Sequence, residues 1–240
     1  MNAMEQCPVC GKRGIFKQVC YDPTAVFYEC PVCGRYEYSM ENNAYEELDY
    51  NELAPFLFYE GFRNQQGRVE HRYYSTKSRE WCDTYTVEFR NDNNIAEMPV
   101  HMDQKIISLW FPKSFSQKID MILIKLNELT EFVGQEIKLD IPSLLSCMFV
   151  RRFKSDNRET VEDKELVKQA LYMTSYLFEI GYVKGINCIN GDVSRADSYY
   201  GEISITPKGY DRIDQLQQRD NDGKDVLVAM RFGSETLKLR

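Results

Sequence analysis

Apolar residues recur at helical spacing through the second half of the chain. Phe115, Ile119, Ile122, Leu123, Leu126 and Leu129 follow Pro112 and Ser114, which predicts a helix that Gly134 ends. Asp140 and Pro142 then open a shorter helix with Leu144, Leu145, Met148 and Phe149 on one face. A polar loop, Lys154 to Glu159, leads to a third helix. Thr160 and Asp163 make a capping-box-like start, Leu166, Val167, Ala170, Leu171, Thr174, Leu177 and Phe178 form its stripe, and Gly181 stops it. There the period changes from helix to strand. Tyr182-Val183-Lys184 with Ile186 to Ile189 is one side of a hairpin, Asn190 to Tyr200 its tip, and Glu202 to Thr206 the other side. Thr206-Pro207-Lys208-Gly209 caps a last helix with Tyr210, Ile213 and Leu216 inward. Three helices followed by a two-stranded wing is the winged helix-turn-helix arrangement.

The front of the chain alternates with the period of strands. Gly14 to Tyr21 reads as one strand, Asp22-Pro23 as a turn, Ala25 to Cys30 as the return strand and Arg35 to Ser39 as a third. Tyr45 to Arg63 is an acidic helix candidate with Leu48, Leu53, Phe56, Leu57 and Phe62 on its apolar face; Pro55 and Gly61 leave its length open. From Gly67 to Met102 the signals mix strand and loop. His71 to Tyr74, Trp81-Cys82 and Tyr85 to Phe89 supply aromatic and β-branched residues, and Arg90 to Asn94 a turn cluster. The tyrosines of this segment read as packed core, with base stacking as the other use of such rings. The expected class is α+β, divided as 1–44 (cysteine-rich sheet), 45–104 (acidic, Tyr-rich linking segment), 105–220 (winged helix) and 221–240 (linker and one strand).

Charge narrows the partners. The net charge is −7, and residues 45–103 carry six Lys/Arg against twelve Asp/Glu, whereas residues 105–240 carry twenty of each. An acidic front is the wrong sign for binding nucleic acid through bulk electrostatics, so any such contact belongs to the second half. No run approaches the ~20 apolar residues of a membrane span. The start, Met1 to Gln6, lacks the basic and apolar parts of a signal peptide, and a cytoplasmic location is expected.

The cysteines carry the strongest chemistry. Cys7-Pro8-Val9-Cys10-Gly11 and Cys30-Pro31-Val32-Cys33-Gly34 are near copies, and a tetrahedral zinc ion takes four thiolates delivered as two such pairs. Four cysteines close the coordination sphere, which makes the site structural, a zinc ribbon. A redox Cys-x-x-Cys would instead stand once, beside a βαβ pattern. Four thiolates and one Zn²⁺ would take the net charge from −7 to about −9. Cys20, Cys82, Cys147 and Cys188 are scattered singly, as buried thiols and not a disulfide framework. His71, His101 and Cys82 have no spacing that supports a second metal or a nucleophile pair. No Gly-rich phosphate loop and no Ser/His/Asp set is present, and Glu46-Glu47 and Glu162-Asp163 read as solvated surface. No catalytic residue is assigned.

Leu177 to Tyr182 followed by Ile203-Ser204-Ile205-Thr206-Pro207-Lys208-Gly209 resembles the winged-helix signature: a leucine-rich third helix, a Gly-Tyr stop and an Ile-x-x-Thr-Pro-x-Gly wing exit. Beyond the linker Gln217 to Lys224, Asp225 to Gly233 resembles the first strand of TIR-like and nucleoside-deoxyribosyltransferase-like domains. In some bacterial multidomain proteins of the anti-phage defence type, those domains follow a zinc ribbon and a winged helix. The resemblance implies a recognition part whose effector body, and any activity, would lie in residues absent after Arg240. The bland reading of the last strand is an edge strand of this chain or of a dimer partner.

A winged helix would present Glu165, Lys168, Tyr172, Ser175 and Glu179 on its third helix, with Arg151, Arg152, Lys154 and Arg158 before it and Lys184, Arg195 and Lys208 on the wing. These residues are the expected contacts to nucleic acid or a partner. The expected function is a non-catalytic, zinc-stabilised recognition or docking module of a defence system, binding a protein or nucleic acid. A winged-helix transcription regulator and the truncated front of a nucleotide-processing enzyme remain the alternatives.

Overall fold

The computed structural model describes residues 5–21, 24–39, 46–65, 72–91, 98–154, 161–185 and 199–221. The first sheet has six strands in the order of the chain: β1 (Glu5–Gln6), β2 (Arg13–Tyr21), β3 (Thr24–Cys30), β4 (Gly34–Ser39), β5 (Arg72–Ser75) and β6 (Met98–His101). The first four pair antiparallel, as short turns allow, whereas β4, β5 and β6 run parallel. Parallel neighbours need crossovers, and helices α1 (Tyr50–Gln65) and α2 (Arg79–Asn91) supply them. The segment read as a link therefore contributes two strands to the sheet that carries the cysteine turns.

α1 runs through both Pro55 and Gly61. Leu53 and Leu57 are fully buried and Leu48 and Phe56 nearly so, between β4 and α5 (Ile141–Cys147), which outweighs the amide that proline lacks. α2 overturns a strand-like expectation for Trp81-Cys82 and Tyr85 to Phe89. Ser78 Oγ accepts from the Trp81 amide at 3.1 Å, capping the helix, and Cys82 is buried. Arg90 and Asn91, expected in a turn, are its last residues. Tyr50, Tyr59, Tyr73 and Tyr74 lie in the core.

The second half follows its pattern more closely. α3 (Gln104–Trp110) was not expected. It is capped by Asp103, whose side chain accepts from the Ile106 amide. α4 (Phe115–Glu128) opens on the reciprocal Ser114–Gln117 capping box and ends at Leu129, before Gly134. β7 (Ile137–Asp140) leads directly into α5, where Asp140 accepts from the Ser143 amide at 2.9 Å. α6 (Asp163–Glu179) has Glu162 at its N-cap, without a side-chain cap bond; Thr160, the expected cap, lies outside the described residues. At its other end Gly181 (φ 76°) and Tyr182 donate to the carbonyls of Phe178 and Leu177, a Schellman stop.

β8 (Val183–Lys184) and β9 (Tyr199–Ile205) complete a second sheet in the order β7-β9-β8, all antiparallel. The predicted strand at Ile186 to Ile189, most of the tip, the turn at Asp22-Pro23 and the strand at 225–233 lie outside the described residues. α7 (Pro207–Asn221) starts on Thr206, whose Oγ accepts from the Gly209 amide at 3.2 Å. A β-carbon at Gly209 would overlap the Tyr182 carbonyl, so only glycine lets α7 close on the end of α6. Of the predicted α6 stripe, Val167, Ala170, Thr174 and Leu177 are buried, but Phe178 is 55% exposed.

Candidate metal centre and the surfaces around it

The two cysteine turns occupy equivalent places in the first sheet: Cys7 and Cys10 between β1 and β2, Cys30 at the end of β3 and Cys33 just before β4. Gly11 (φ 80°) and Gly34 (φ 71°), the glycines after each pair, both take the left-handed backbone that such a turn requires. All four thiols are buried, and their sulfurs lie within 4.8 Å of one another. Cys7 Sγ is 3.9 Å from Cys33 Sγ and Cys10 Sγ is 3.5 Å from Cys30 Sγ. A tetrahedron with metal–sulfur bonds of about 2.3 Å has edges of roughly 3.8 Å, so these pairs are spaced as ligands of one ion.

Donors surround the sulfurs. The amides of Cys10, Lys12 and Val32 lie 3.4–3.5 Å from Cys7, Cys10 and Cys30 Sγ, and the Tyr36 hydroxyl is 3.0 Å from Cys7 Sγ. Burial lifts Cys10 and Cys33 above the usual thiol range. Hydrogen bonds with Cys10 and Cys33 lower Cys30. At Cys7 burial also pushes upward, but bonds with the other three cysteines and Tyr36 outweigh it and the direction is down. A bound dication is what would hold all four sulfurs deprotonated.

This centre is tied into the second half of the chain. Lys12 Nζ pairs with Asp140 at 2.8 Å, and Asp140 is also the cap of α5. The Arg152 guanidinium donates to the Cys10 carbonyl, to the Pro142 carbonyl (2.9 Å) and to Ser146 Oγ (3.1 Å). Asn51 of α1 accepts from the amides of Arg152 and Phe153 at 2.7 and 2.9 Å and donates to the Phe153 carbonyl at 3.0 Å. Aromatic rings make a second connection: Tyr36–Tyr38 (5.4 Å between centroids), Tyr38–Tyr50 (6.4 Å) and Tyr50–Phe153 (5.6 Å).

The residues expected to contact nucleic acid or a partner separate into groups. Arg151, Lys154, Lys168, Tyr172, Lys184 and Lys208 are exposed. Arg151 sits beside α6, its amide donating to Gln169 at 3.0 Å, and Lys208 Nζ donates to the Ile180 carbonyl at the end of α6 (2.7 Å). Arg152 is only 6% exposed and faces inward onto the cysteine turn. Val150 in, Arg151 out and Arg152 in alternate as in an extended segment, which sets this direction. Arg158, Arg195 and His71 lie outside the described residues. His101 is held by the Lys77 carbonyl (2.6 Å) and Asp103 (3.1 Å), and Cys82, pushed up to about 12 by burial, is an inert thiol.

Sequence reasoning missed the buried ion pair Glu37–Lys77 (3.4 Å) and the pairing of buried Lys125 with half-buried Glu128 (3.2 Å). The only sequence signal for Lys125 was its place on the apolar side of α4, between Leu123 and Leu126. No helix among the described residues is long and apolar enough to cross a membrane. No family model, curated protein or solved structure matches this chain.

Proposed function

We propose that this chain is a zinc ribbon joined to a winged helix, a recognition head that works by docking a protein partner and not by turnover. Zinc is the ion that best suits four buried thiolates at tetrahedral spacing, and a sphere closed by four cysteines gives it a structural role. The winged-helix reading is supported by the order α4, β7, α5, α6, β8, β9 and by the three-stranded sheet the strands form.

One observation carries the docking reading. The outward side of α6 presents aromatic rings and no net positive charge: Tyr172 is 66% exposed and Phe115 of α4, 6.1 Å from it between ring centroids, is 39% exposed. Glu165 and Glu179 flank this side, and its exposed cations are Lys168 and Lys164, the latter paired with Glu162 at 2.8 Å. Exposed aromatic rings without an excess of cations suit an interface core, whereas a helix that reads a major groove carries cations and amides in excess. The setting in a bacterial defence protein rests on the resemblances at 177–182, 203–209 and 225–233.

The test is a titration with duplex DNA across salt concentrations, using the full chain with its metal. Weak or absent binding is expected. Tight binding that falls steeply with salt and prefers one sequence would replace docking with transcription regulation. Hydrolysis of a nucleotide by this chain would replace it with catalysis.

A further inference from the structure

Between the first cysteine turn and the start of α6 lies a groove of about 490 Å³, in the size range of ligand sites. Its floor is apolar and buried, with Val9, Pro142 and Leu145, and Phe153 and Leu166 are half-buried at its sides. Its rim is exposed at Pro8, Arg13 and Asp163, so the groove opens to solvent. One wall continues into β1, the edge strand of the six-stranded sheet, which pairs with β2 alone among the described strands.

The polar groups in this groove are donors in excess. Arg152, 94% buried by its 6% exposure, lines it and has an Nε without a hydrogen-bond partner among the described residues. Among the described residues its guanidinium is bonded only to neutral oxygens. Arg13 makes no ion pair among the described residues, and Glu162 leaves the start of α6 without a side-chain cap bond. Arg151 and Lys154 flank Phe153. Against these stand the lining carboxylate of Asp163 and the charge of the cysteine centre, whose sulfurs are buried behind amide donors. Asp140, close by, is neutralised by Lys12.

We propose that this groove is a second docking site, separate from the outward side of α6, and that it takes a short extended peptide of a partner protein. Apolar side chains fill the floor, a carboxylate meets Arg13, and the peptide backbone lies along β1. An edge strand beside an apolar trough is how sheet proteins capture extended segments, with backbone bonds for affinity and pockets for side chains. An opposite charge at the rim selects among such segments.

A library of random short peptides displayed on phage is selected against the full chain with its metal, and the enriched peptides are synthesised and titrated by fluorescence anisotropy. Enrichment of Asp or Glu next to Leu, Ile or Phe is expected. Arg13→Glu at the exposed rim and Leu166→Gln at the side should each weaken binding by about tenfold or more. Unchanged thermal melting and metal content check that both variants fold, and Tyr172→Ala should leave this binding as it is. Peptides indifferent to both groove substitutions, or no enriched peptide, overturn the proposal. Loss of binding in Tyr172→Ala alone returns the docking site to α6 and leaves the first reading standing. An oligonucleotide whose binding is lost in Arg13→Glu would make the groove a nucleic-acid site and remove the peptide.

Discussion

The two halves of this protein reach order by different means. Around β1 to β4 the buried hydrophobic residues among those described are four thiols, Tyr36 and Tyr38, and the small set Val9, Ile15, Ala25 and Val32, with Phe16 exposed. Around α4 to α7 it is a packed aliphatic interior, with Ile122, Leu123, Leu126 and Leu177 fully enclosed and helix ends capped by Ser114, Asp140 and Thr206. A sheet region with little apolar area to bury would depend on an ion held by its cysteines, whereas capped amphipathic helices carry their own stability. The seam between them is polar as well as aromatic, through Lys12–Asp140, Arg152–Cys10 and Asn51.

The hardest blow to that contrast is Cys33→Ser. It should abolish metal binding, measured by elemental analysis, and melt the first sheet while far-UV circular dichroism keeps the helical signal of α4 to α7. Structural zinc in isolated fingers is worth about 10–16 kcal/mol, so no neighbouring contact can compensate. A variant that loses the ion and still melts as one cooperative unit would show that the sheet stands without it.

Leu123→Ala inverts the experiment. It should cost about 2–5 kcal/mol of stability in urea while the metal content stays unchanged. Arg152→Met strikes the seam. It strips the Cys10 carbonyl of a charged donor and should cost about 2–3 kcal/mol, with faster metal loss to a chelator as the accompanying sign. Metal release at the wild-type rate would mean that the guanidinium serves α5 alone.

Lys125 sharpens the picture of the aliphatic half through pH. Burial lowers its amine to about 8, against the charge of Glu128, which acts in the other direction. Below that value the folded and unfolded states both carry the proton, and the charged burial is a constant penalty. Above it the folded state gives up its proton first. Stability contributed by this site therefore rises between about pH 8 and the unfolded value near 10.4, by on the order of 3 kcal/mol. Cys147, pushed up to about 12 by burial, acts oppositely over part of that window, so the measurement is the difference between wild type and Lys125→Met in urea at pH 7 and pH 10. A difference that does not move with pH removes the account. The smallest effect belongs to Lys208→Ala, which takes one donor from the end of α6 and should cost less than about 1 kcal/mol.

What could be read from the chain follows the same divide. Repeated Cys-Pro-Val-Cys-Gly turns and long stripes such as Ile119 to Leu126 are local signals, and the structure contains both. Parallel pairing of β4, β5 and β6 is not local. β5 and β6 are four residues each, too short to show alternation, and their neighbours lie tens of residues away. α2 was misread because Trp81, Tyr85, Thr86 and Val87 favour strands in isolation, and burial of Cys82 with the Ser78 cap overrides that preference. β7 was passed over for its length, although Ile137 and Leu139 alternate inward against Ile203 and Gly201 of β9. Among the expected binding residues, Arg152 faces inward because its strand-like neighbours set its side, and residue type gave no hint of it.

The bond from Arg152 to Cys10 joins positions 142 residues apart. At synthesis rates of about 5–20 residues per second, the first cysteine turn waits roughly 7–28 s before its anchor leaves the ribosome. During that interval the thiols can capture an ion but have no docking face to lean on.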